Sequence, residues 1–137
     1  MYASDLDVDC VIDMATLTGA CMVALGHEYA GLFTHDEELA AGLLAASETS
    51  GDKLWRMPLP DSYKQLIKSD IAEVKNLGGR FAGATTAALF LQEFVGEGVR
   101  WAHIDIAGPV TSDKPWALGP KGATGHPVRA LVRFLES

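Results

Sequence analysis

The most informative segment of this sequence is VDCVIDMA at residues 8–15, which is followed by TLTG at residues 16–19. A mostly apolar run of this length is typical of a strand that is buried on both faces of a sheet. Thr18 can cap the apolar stretch ACMVAL that follows, and Gly26 can end it. The sequence therefore predicts an internal strand that leads through a short loop into a short helix.

Strand and helix patterns alternate through the rest of the chain. Asp36 is a predicted N-cap with Glu37 and Glu38 in the first turn, and the helix that it starts should end at Gly51. Further predicted elements are strands at 30–34, 69–76 and 101–107, a short helix near 61–67, and helices at 84–95 and 127–136. Such alternation predicts one domain in which helices cover an α/β layered sheet.

Two predicted loops lie at the carboxyl ends of strands, where the ligands of such sheets gather. They are TLTG after strand 8–15 and AGPV, residues 107–110, at the end of strand 101–107. The second loop opens a stretch of 18 residues, 108–125, which is long for a connection in a compact domain. These loops are the first candidates for a functional site.

The charge and composition of the chain disfavour several classes of function. The net charge is −7, and residues 1–50 contain nine acidic residues but no Lys or Arg, so a nucleic-acid partner is not expected. No apolar run approaches the roughly 18 residues of a membrane span, and the start MYASDLDVDC lacks the basic region of a secretory signal. Cys10 and Cys21 form neither a CxxC motif nor a disulfide framework. A cytoplasmic location is expected.

Two short motifs resemble ion or nucleotide sites but lack the residues that such sites need. Asp5, Asp7 and Asp9 are spaced like the start of a calcium loop, but Cys10 and Thr16 replace its Gly and its Glu. The segment GGRFAGAT at residues 78–85 has the glycine spacing of a phosphate-binding loop, but Ala stands where that loop has Lys. The alternative for the three aspartates is a solvated acidic turn. The alternative for residues 78–85 is a tight turn into the helix at 84–95, whose free N–H groups could hold a carboxylate.

The residues by themselves reveal no nucleophile, acid–base pair or metal cluster. The four histidines include no HExxH motif, and neither cysteine stands beside an obvious base. His103 and Asp105 share one face of a predicted strand, which could place a carboxylate beside an imidazole. A buried histidine with satisfied hydrogen bonds is the alternative.

Longer segments resemble the leucyl aminopeptidase family, the cytosolic dinuclear-metal exopeptidases. The resemblance is collinear from about residue 2 to residue 137. It is carried by VIDMATLTGAC (11–21), VALG (23–26), SGDKLWRMPL (50–59), NLGGRFAGATTAALFL (76–91), WAHIDIAG (101–108) and KGATGHPVRALVRFL (121–135). It implies the C-terminal part of the catalytic domain, with a mixed sheet flanked by helices, and a peptidase that releases N-terminal residues, preferably leucine.

The resemblance also implies a metal centre whose ligands this sequence does not contain. The family holds two divalent metal ions, Mn or Zn, with a Lys, three Asp and a Glu. Two of these ligands belong to an Asn-Thr-Asp-Ala-Glu-Gly-Arg segment that would precede residue 1 and is absent here, and the aspartates between Asp5 and Asp13 do not replace it. The 137-residue chain alone is therefore expected to be inactive, with no catalytic or metal-binding residue of its own.

By position, the resemblance assigns one wall of the substrate pocket to this chain. The loop residues Thr16, Leu17 and Gly19 match a substrate-binding loop, in which the Leu17 carbonyl would contact the amino end of the peptide and Gly19 would use its N–H. Leu77 matches an apolar residue beside the scissile bond. Ala107 and Val110 match the pocket for the first side chain, and Val110 stands where the family often has Met, which changes the depth of the pocket.

Two kinds of role follow from the resemblance. The first is part of a metallo-aminopeptidase that acts on peptides and assembles as a homo-hexamer. The second is a non-catalytic module that serves assembly or binds small peptides. DNA binding, which occurs in some family members, is disfavoured here by the acidic charge.

Overall fold

The chain folds around a four-stranded mixed sheet with helices on both faces. The computed structural model describes residue 3 and residues 6–137. Its elements are β1 (Cys10–Ala15), α1 (Gly19–Leu25), β2 (Ala30–Phe33), α2 (Glu37–Ser50), β3 (Leu54–Arg56), a 3₁₀ helix (Asp61–Ile67), α3 (Gly83–Gln92), β4 (Arg100–Asp105), β5 (Thr111–Ser112), β6 (Gly122–Ala123) and α4 (Val128–Leu135). The predicted α/β sheet flanked by helices is confirmed.

The strands lie in the order β1-β4-β2-β3. β4 runs parallel to β1, with Asp13 opposite His103 and Ala15 opposite Asp105. β4 is antiparallel to β2, and β2 is parallel to β3. The last long strand in the sequence therefore occupies a central position. β1 lies at one edge of the described sheet and none of its residues is fully buried, so the prediction of an internal strand buried on both faces is wrong for this part of the chain.

Alternating residues of β4 divide the core between the two faces of the sheet. Trp101 packs with α3, the 3₁₀ helix and Cys21, whereas Ala102 and Ile104 pack with α2. The α2 helix begins where the side chain of Asp36 accepts a hydrogen bond from the Leu39 N–H at 2.8 Å. Both faces of the central strand are thus buried, although its alternation is typical of a half-buried strand, because the polar positions His103 and Asp105 are buried with hydrogen-bond partners.

A fully buried carboxylate anchors α4 on the second face. Asp52 accepts hydrogen bonds from the backbone N–H groups of Arg129 and Ala130, at 2.9 and 3.1 Å, and from the Arg129 guanidinium. His126 lies beside it, with Nδ1 3.6 Å from the Asp52 carboxylate. The helix predicted at the end of the chain therefore forms as α4, and the Asp52 carboxylate in the turn after α2 holds its start.

Some predicted elements differ from the observed ones. The strand predicted at 69–76 is wrong, because this segment is irregular and Ile71 is 97% exposed, so its alternation reflects no half-buried face. The connector after residue 53 contains strand β3, and the long loop 108–125 contains the short hairpin of β5 and β6. In the described part of the chain, no helix has the length and apolar character needed to cross a bilayer.

Candidate substrate-binding loops

The two predicted ligand loops lie side by side because β1 and β4 are parallel neighbours. Their carboxyl ends meet at one edge of the sheet, and the Ile106 N–H extends the ladder by donating to the Ala15 carbonyl at 2.9 Å. Residues 16–19 leave β1 at this point, and residues 107–110 leave β4. The arrangement brings together segments that are about 90 residues apart in sequence.

One buried carboxylate joins the two loops. Asp105 at the end of β4 is 0% exposed. Its Oδ1 accepts hydrogen bonds from the N–H groups of Leu17 at 3.2 Å, Thr18 at 3.4 Å and Ala107 at 3.2 Å, and its Oδ2 accepts one from the Thr18 hydroxyl at 2.7 Å. A single side chain therefore fixes backbone groups of both loops.

Thr18 connects this carboxylate to the start of α1. Its Oγ1 accepts a hydrogen bond from the Cys21 N–H at 3.0 Å while its hydroxyl donates to Asp105. The side chain is thus the predicted N-cap, which satisfies one of the free donors in the first turn. Gly19 is held at the first position of the helix as a result.

The second loop packs closely on the turn that follows α1. A Cβ atom at Gly108 would lie 2.2 Å from the Gly26 carbonyl oxygen, so only glycine fits there without a shift of the backbone. The His27 Nδ1 lies 3.3 Å from the Gly108 carbonyl oxygen. Val110 completes a turn by donating to the Ile106 carbonyl at 3.2 Å. The path of the AGPV loop is therefore fixed by backbone contact.

Five of the six predicted substrate-binding residues belong to these adjacent loops. Thr16 and Gly19 are exposed, whereas Leu17, Ala107 and Val110 are half-buried. Leu77 lies apart on the loop before α3 and is 77% exposed, and no hydrogen bond of the described residues ties it to the other five. The structure brings Leu17 and Ala107 together through Asp105, a link that the sequence did not predict.

A cleft of about 570 Å³ lies elsewhere, between the 108–125 segment and α4. His27, Asp52, Trp116, His126 and Arg129 are among its lining residues, and none of the six predicted substrate-binding residues is. Of the two candidate loops, only the second reaches this cleft, through Pro109, so the six predicted residues lie outside it.

The carboxylate beside His103 is Asp13 of the neighbouring strand, and the suggested pairing with Asp105 does not form. The His103 Nδ1 lies 2.5 Å from the Asp13 Oδ1, and the Trp101 Nε1 donates to the Asp13 Oδ2 at 2.6 Å. His103 is fully buried and stacks between Phe33 and Trp101, and its Nε2 has no hydrogen-bond partner. The alternative of a buried histidine is confirmed, although only one of its nitrogens is satisfied.

The cysteines are poorly suited to act as nucleophiles. Burial, and after it the nearby charge of Asp105, raises the pKa of the Cys21 thiol to about 11. Burial also raises the pKa of Cys10. Because the thiolate is the reactive form, a raised pKa disfavours a nucleophilic role for either side chain.

The described residues do not fit the metal centre that the resemblance implies. Residue 3 and residues 6–137 contain no group of three or more His, Cys, Asp or Glu side chains that could hold a metal ion. The two fully buried carboxylates, Asp52 and Asp105, are already occupied by donors of the protein. Asp7 and Asp9 belong to the described residues, whereas Asp5 lies outside them. No metal ligand is assigned to this chain.

Comparison with solved structures defines the class of this fold as that of the leucine aminopeptidases. A mutant of tomato leucine aminopeptidase superposes with a TM-score of 0.91 and 49% sequence identity, covering 98% of this chain and 26% of that one. The bottromycin maturation enzyme BotP superposes with a TM-score of 0.93 and 44% identity, covering 98% of this chain and 30% of that one.

The sequence comparison shows the family. The family model described as "Cytosol aminopeptidase family, catalytic domain" matches residues 1–132, and the chain belongs to this family. A curated relative from Prochlorococcus marinus (strain MIT 9313), named "Probable cytosol aminopeptidase", is 55% identical over 137 residues. The match covers 100% of this chain and 28% of that protein, so the chain spans a little over a quarter of the length of its relative.

Proposed function

We propose that this chain supplies the substrate-pocket wall of a dinuclear-metal aminopeptidase that releases N-terminal residues, preferably leucine, from peptides. The proposal rests on one observation: Asp105 binds the backbone of both the 16–19 loop and the 107–110 loop, in a chain that belongs to this family. Two loops with free backbone groups and small or apolar side chains suit the recognition of an apolar first residue.

Each predicted residue has a role in this proposal. The Leu17 carbonyl accepts a hydrogen bond from the amino end of the peptide, and the Gly19 N–H donates to the substrate. Ala107 and Val110 line the pocket for the first side chain, Thr16 borders it, and Leu77 covers the region beside the scissile bond. The half-buried state of Leu17, Ala107 and Val110 supports these roles, because a wall residue must be held in place and still face the ligand.

The chemical step needs metal ions, for which residue 3 and residues 6–137 offer no cluster of ligands. When bound, two divalent ions, Mn or Zn, would activate water and polarise the peptide carbonyl. We place their ligands in the rest of the catalytic domain, and the structure of BotP in complex with Mn favours manganese as the first metal to test. The part that these residues play is to bind and orient the peptide.

The proposed assembly is a homo-hexamer in the cytoplasm, to which this chain contributes subunit contacts. Support comes from the family and from the apolar surface of the chain. Val23 on α1, Ile71 and Phe81 are between 79% and 97% exposed, so these large apolar side chains are available for contact with the rest of the protein or with another subunit. The same surface supports the alternative function, a non-catalytic module that acts only in assembly or peptide binding.

A hybrid enzyme tests the proposal and separates it from the alternative. In this hybrid, the 137 residues replace the matched stretch of the Prochlorococcus marinus relative. We expect the Mn-loaded hybrid to release leucine from a leucyl anilide, and the purified 137-residue chain with Mn or Zn to release none. A folded, metal-loaded hybrid without activity would exclude the enzymatic role. Activity of the 137-residue chain alone would contradict the expectation that the metal ligands lie outside it.

A further inference from the structure

The position of Asp105 suggests a role beyond the stability of the sheet. Its carboxylate is fully buried at the junction of the two proposed substrate loops, and all four of its hydrogen bonds go to groups of these loops or their caps. Asp52, the other fully buried carboxylate, instead holds the start of α4. Two similar side chains thus serve different parts of the fold, and only one of them contacts the candidate site.

The hydrogen bond to Thr18 determines the direction of the Leu17 carbonyl. The N–H of Thr18 and the C=O of Leu17 belong to the same planar trans peptide unit, so the two groups point in opposite directions. Because the Thr18 N–H points to Asp105 at 3.4 Å, the Leu17 carbonyl points away from this buried carboxylate. In the same way, the hydrogen bond from the Leu17 N–H to Asp105 fixes the direction of the Thr16 carbonyl.

The same carboxylate sets the distance between the two loops. The backbone N–H groups of Leu17 and Ala107 both donate to the Oδ1 atom of Asp105. The proposed pocket residue Ala107 and the residue proposed to contact the amino end of the peptide, Leu17, therefore share one acceptor. A change at this atom would move both loops together. A displacement of about 1 Å at a reacting centre can reduce a rate roughly 100-fold.

We propose that Asp105 is a positioning residue for the aminopeptidase reaction, which orients the Leu17 carbonyl toward the amino end of the peptide and holds it in register with Ala107. The inference rests on the proposed function of these loops. Asp105 touches neither substrate nor metal in this arrangement and acts through the backbone groups that it binds.

The first test measures the backbone directly in the hybrid enzyme. Amide hydrogen exchange followed by mass spectrometry at single-residue resolution should be at least about tenfold faster at Leu17, Thr18 and Ala107 in Asp105→Ala, since a lost hydrogen bond to a charged group corresponds to such a factor. Asp52→Ala removes a carboxylate of equal burial and is the matched control, which should leave these three amides unchanged. Unchanged exchange in Asp105→Ala would overturn the proposal.

The second test uses two inhibitors of the hybrid enzyme that differ in one group. 3-Methylbutylamine carries an amino group and a leucine-like side chain, and 3-methylbutanol carries the side chain without the amine. In Asp105→Ala we expect the inhibition constant of the amine to rise about tenfold or more relative to that of the alcohol, and kcat/KM for a leucyl anilide to fall about 100-fold. Asp52→Ala should keep the wild-type ratio of the two constants.

A conservative variant covers the case in which Asp105→Ala does not fold. Asp105→Asn keeps one oxygen acceptor but places an N–H₂ donor opposite the Thr18 hydroxyl, so it should recover part of the selectivity for the amine. An inactive wild-type hybrid would overturn the proposed function itself. An active wild-type hybrid whose Asp105 variants keep the wild-type inhibitor ratio would overturn the positioning role alone.

Discussion

The Nδ1 atom of His103 lies 2.5 Å from the Oδ1 atom of Asp13, across two parallel strands that are 90 residues apart in sequence. The same carboxylate accepts a hydrogen bond from Trp101. This pair joins the edge strand β1 to the central strand β4 on the face that packs against α3. His103 is fully buried whereas the Asp13 side chain is 37% exposed, so their hydrogen bond lies at the margin of an otherwise apolar layer.

Removing the Asp13 carboxylate should destabilise the fold. In Asp13→Ala the buried donors of Trp101 and His103 lose their acceptor, and an unsatisfied buried donor costs about 1–3 kcal/mol. We expect a decrease of about this size in the free energy of unfolding, measured with denaturant. Asp9→Ala, an exposed acid next to the same strand, should change it by less than about 0.5 kcal/mol. Equal losses in the two variants would contradict the role of the pair.

The close contact at Gly108 predicts a strong effect of one added methyl group. In Gly108→Ala the new Cβ would meet the Gly26 carbonyl oxygen, so the 107–110 loop must shift. Overpacking of this kind lowers the free energy of unfolding by about 1–3 kcal/mol. Gly19→Ala is the control, because its Cβ would meet no atom within 4 Å, and it should be neutral or stabilising by about 0.4–1 kcal/mol.

His126 should make stability depend on pH below neutrality. Burial lowers the pKa of this imidazole from its usual value near 6.5, with Arg129 adding to the effect and Asp52 opposing it. As the pH falls below about 6.5, the unfolded chain binds a proton that the folded chain resists, so stability is present above this pH and decreases as it falls.

Thermal unfolding between pH 7.5 and pH 5 tests this sign. We expect the melting temperature of the wild type to decrease over the interval, and that of His126→Asn to decrease less. His35→Gln, which removes a half-exposed imidazole, should follow the wild type. If the melting temperature of His126→Asn decreases more steeply than that of the wild type, protonation of His126 does not destabilise the folded chain and the prediction is wrong.

Ala107 should determine the space for the first side chain in the hybrid enzyme. Ala107→Leu adds three carbons to the proposed pocket for the first side chain, and overpacking by about 1–3 kcal/mol corresponds to a decrease in kcat/KM of roughly five- to 150-fold. Leucyl substrates should lose this factor, whereas alanyl substrates should lose less. If both lose the same factor at equal metal content and equal assembly state, Ala107 does not line the pocket.

The free edge of β1 should make the isolated 137-residue chain associate. Cys10–Ala15 pairs with β4 on one side only among the described strands, and an apolar edge strand readily pairs with another chain. Met14→Lys places a charge on this strand and should shift size-exclusion elution toward the monomer. Met22→Lys, at a similarly exposed methionine on α1, should have a smaller effect. A sharp monomer peak for the wild type would refute the prediction.

The local sequence predicted most of the regular elements because their signals are local. Thr18, Asp36 and Gly51 act as the caps that their positions indicate, and the apolar run at 8–15 and the alternation at 101–107 form the neighbouring strands β1 and β4. The TLTG and AGPV loops were each expected to follow the carboxyl end of a strand, but their adjacency depends on the parallel pairing of β1 with β4, which was not predicted. The roles of the six substrate-binding residues stay predictions.

Pairing between distant residues was not predictable in the same way. The partner of His103 depends on the register of β1 against β4, which no single strand encodes, so the carboxylate two residues away was the only visible candidate. The segment 69–76 alternates like a strand, but it lacks a neighbouring strand and exposes Ile71. Asp105 was visible as a carboxylate, whereas its four donors come from two loops that only the folded sheet brings together.

The central position of β4 has a consequence for the order in which the fold can form. Its residues Arg100–Asp105 pair with both β1 and β2, so these two earlier strands have no direct contact in the sheet and cannot complete it before β4 arrives. Such sequence-distant pairing slows folding, because a long loop must close before any contact offsets the lost entropy. During synthesis, β2 can pair with β3, but β1 would lack its β4 partner and one edge of β2 would stay open until about three quarters of these 137 residues had left the ribosome.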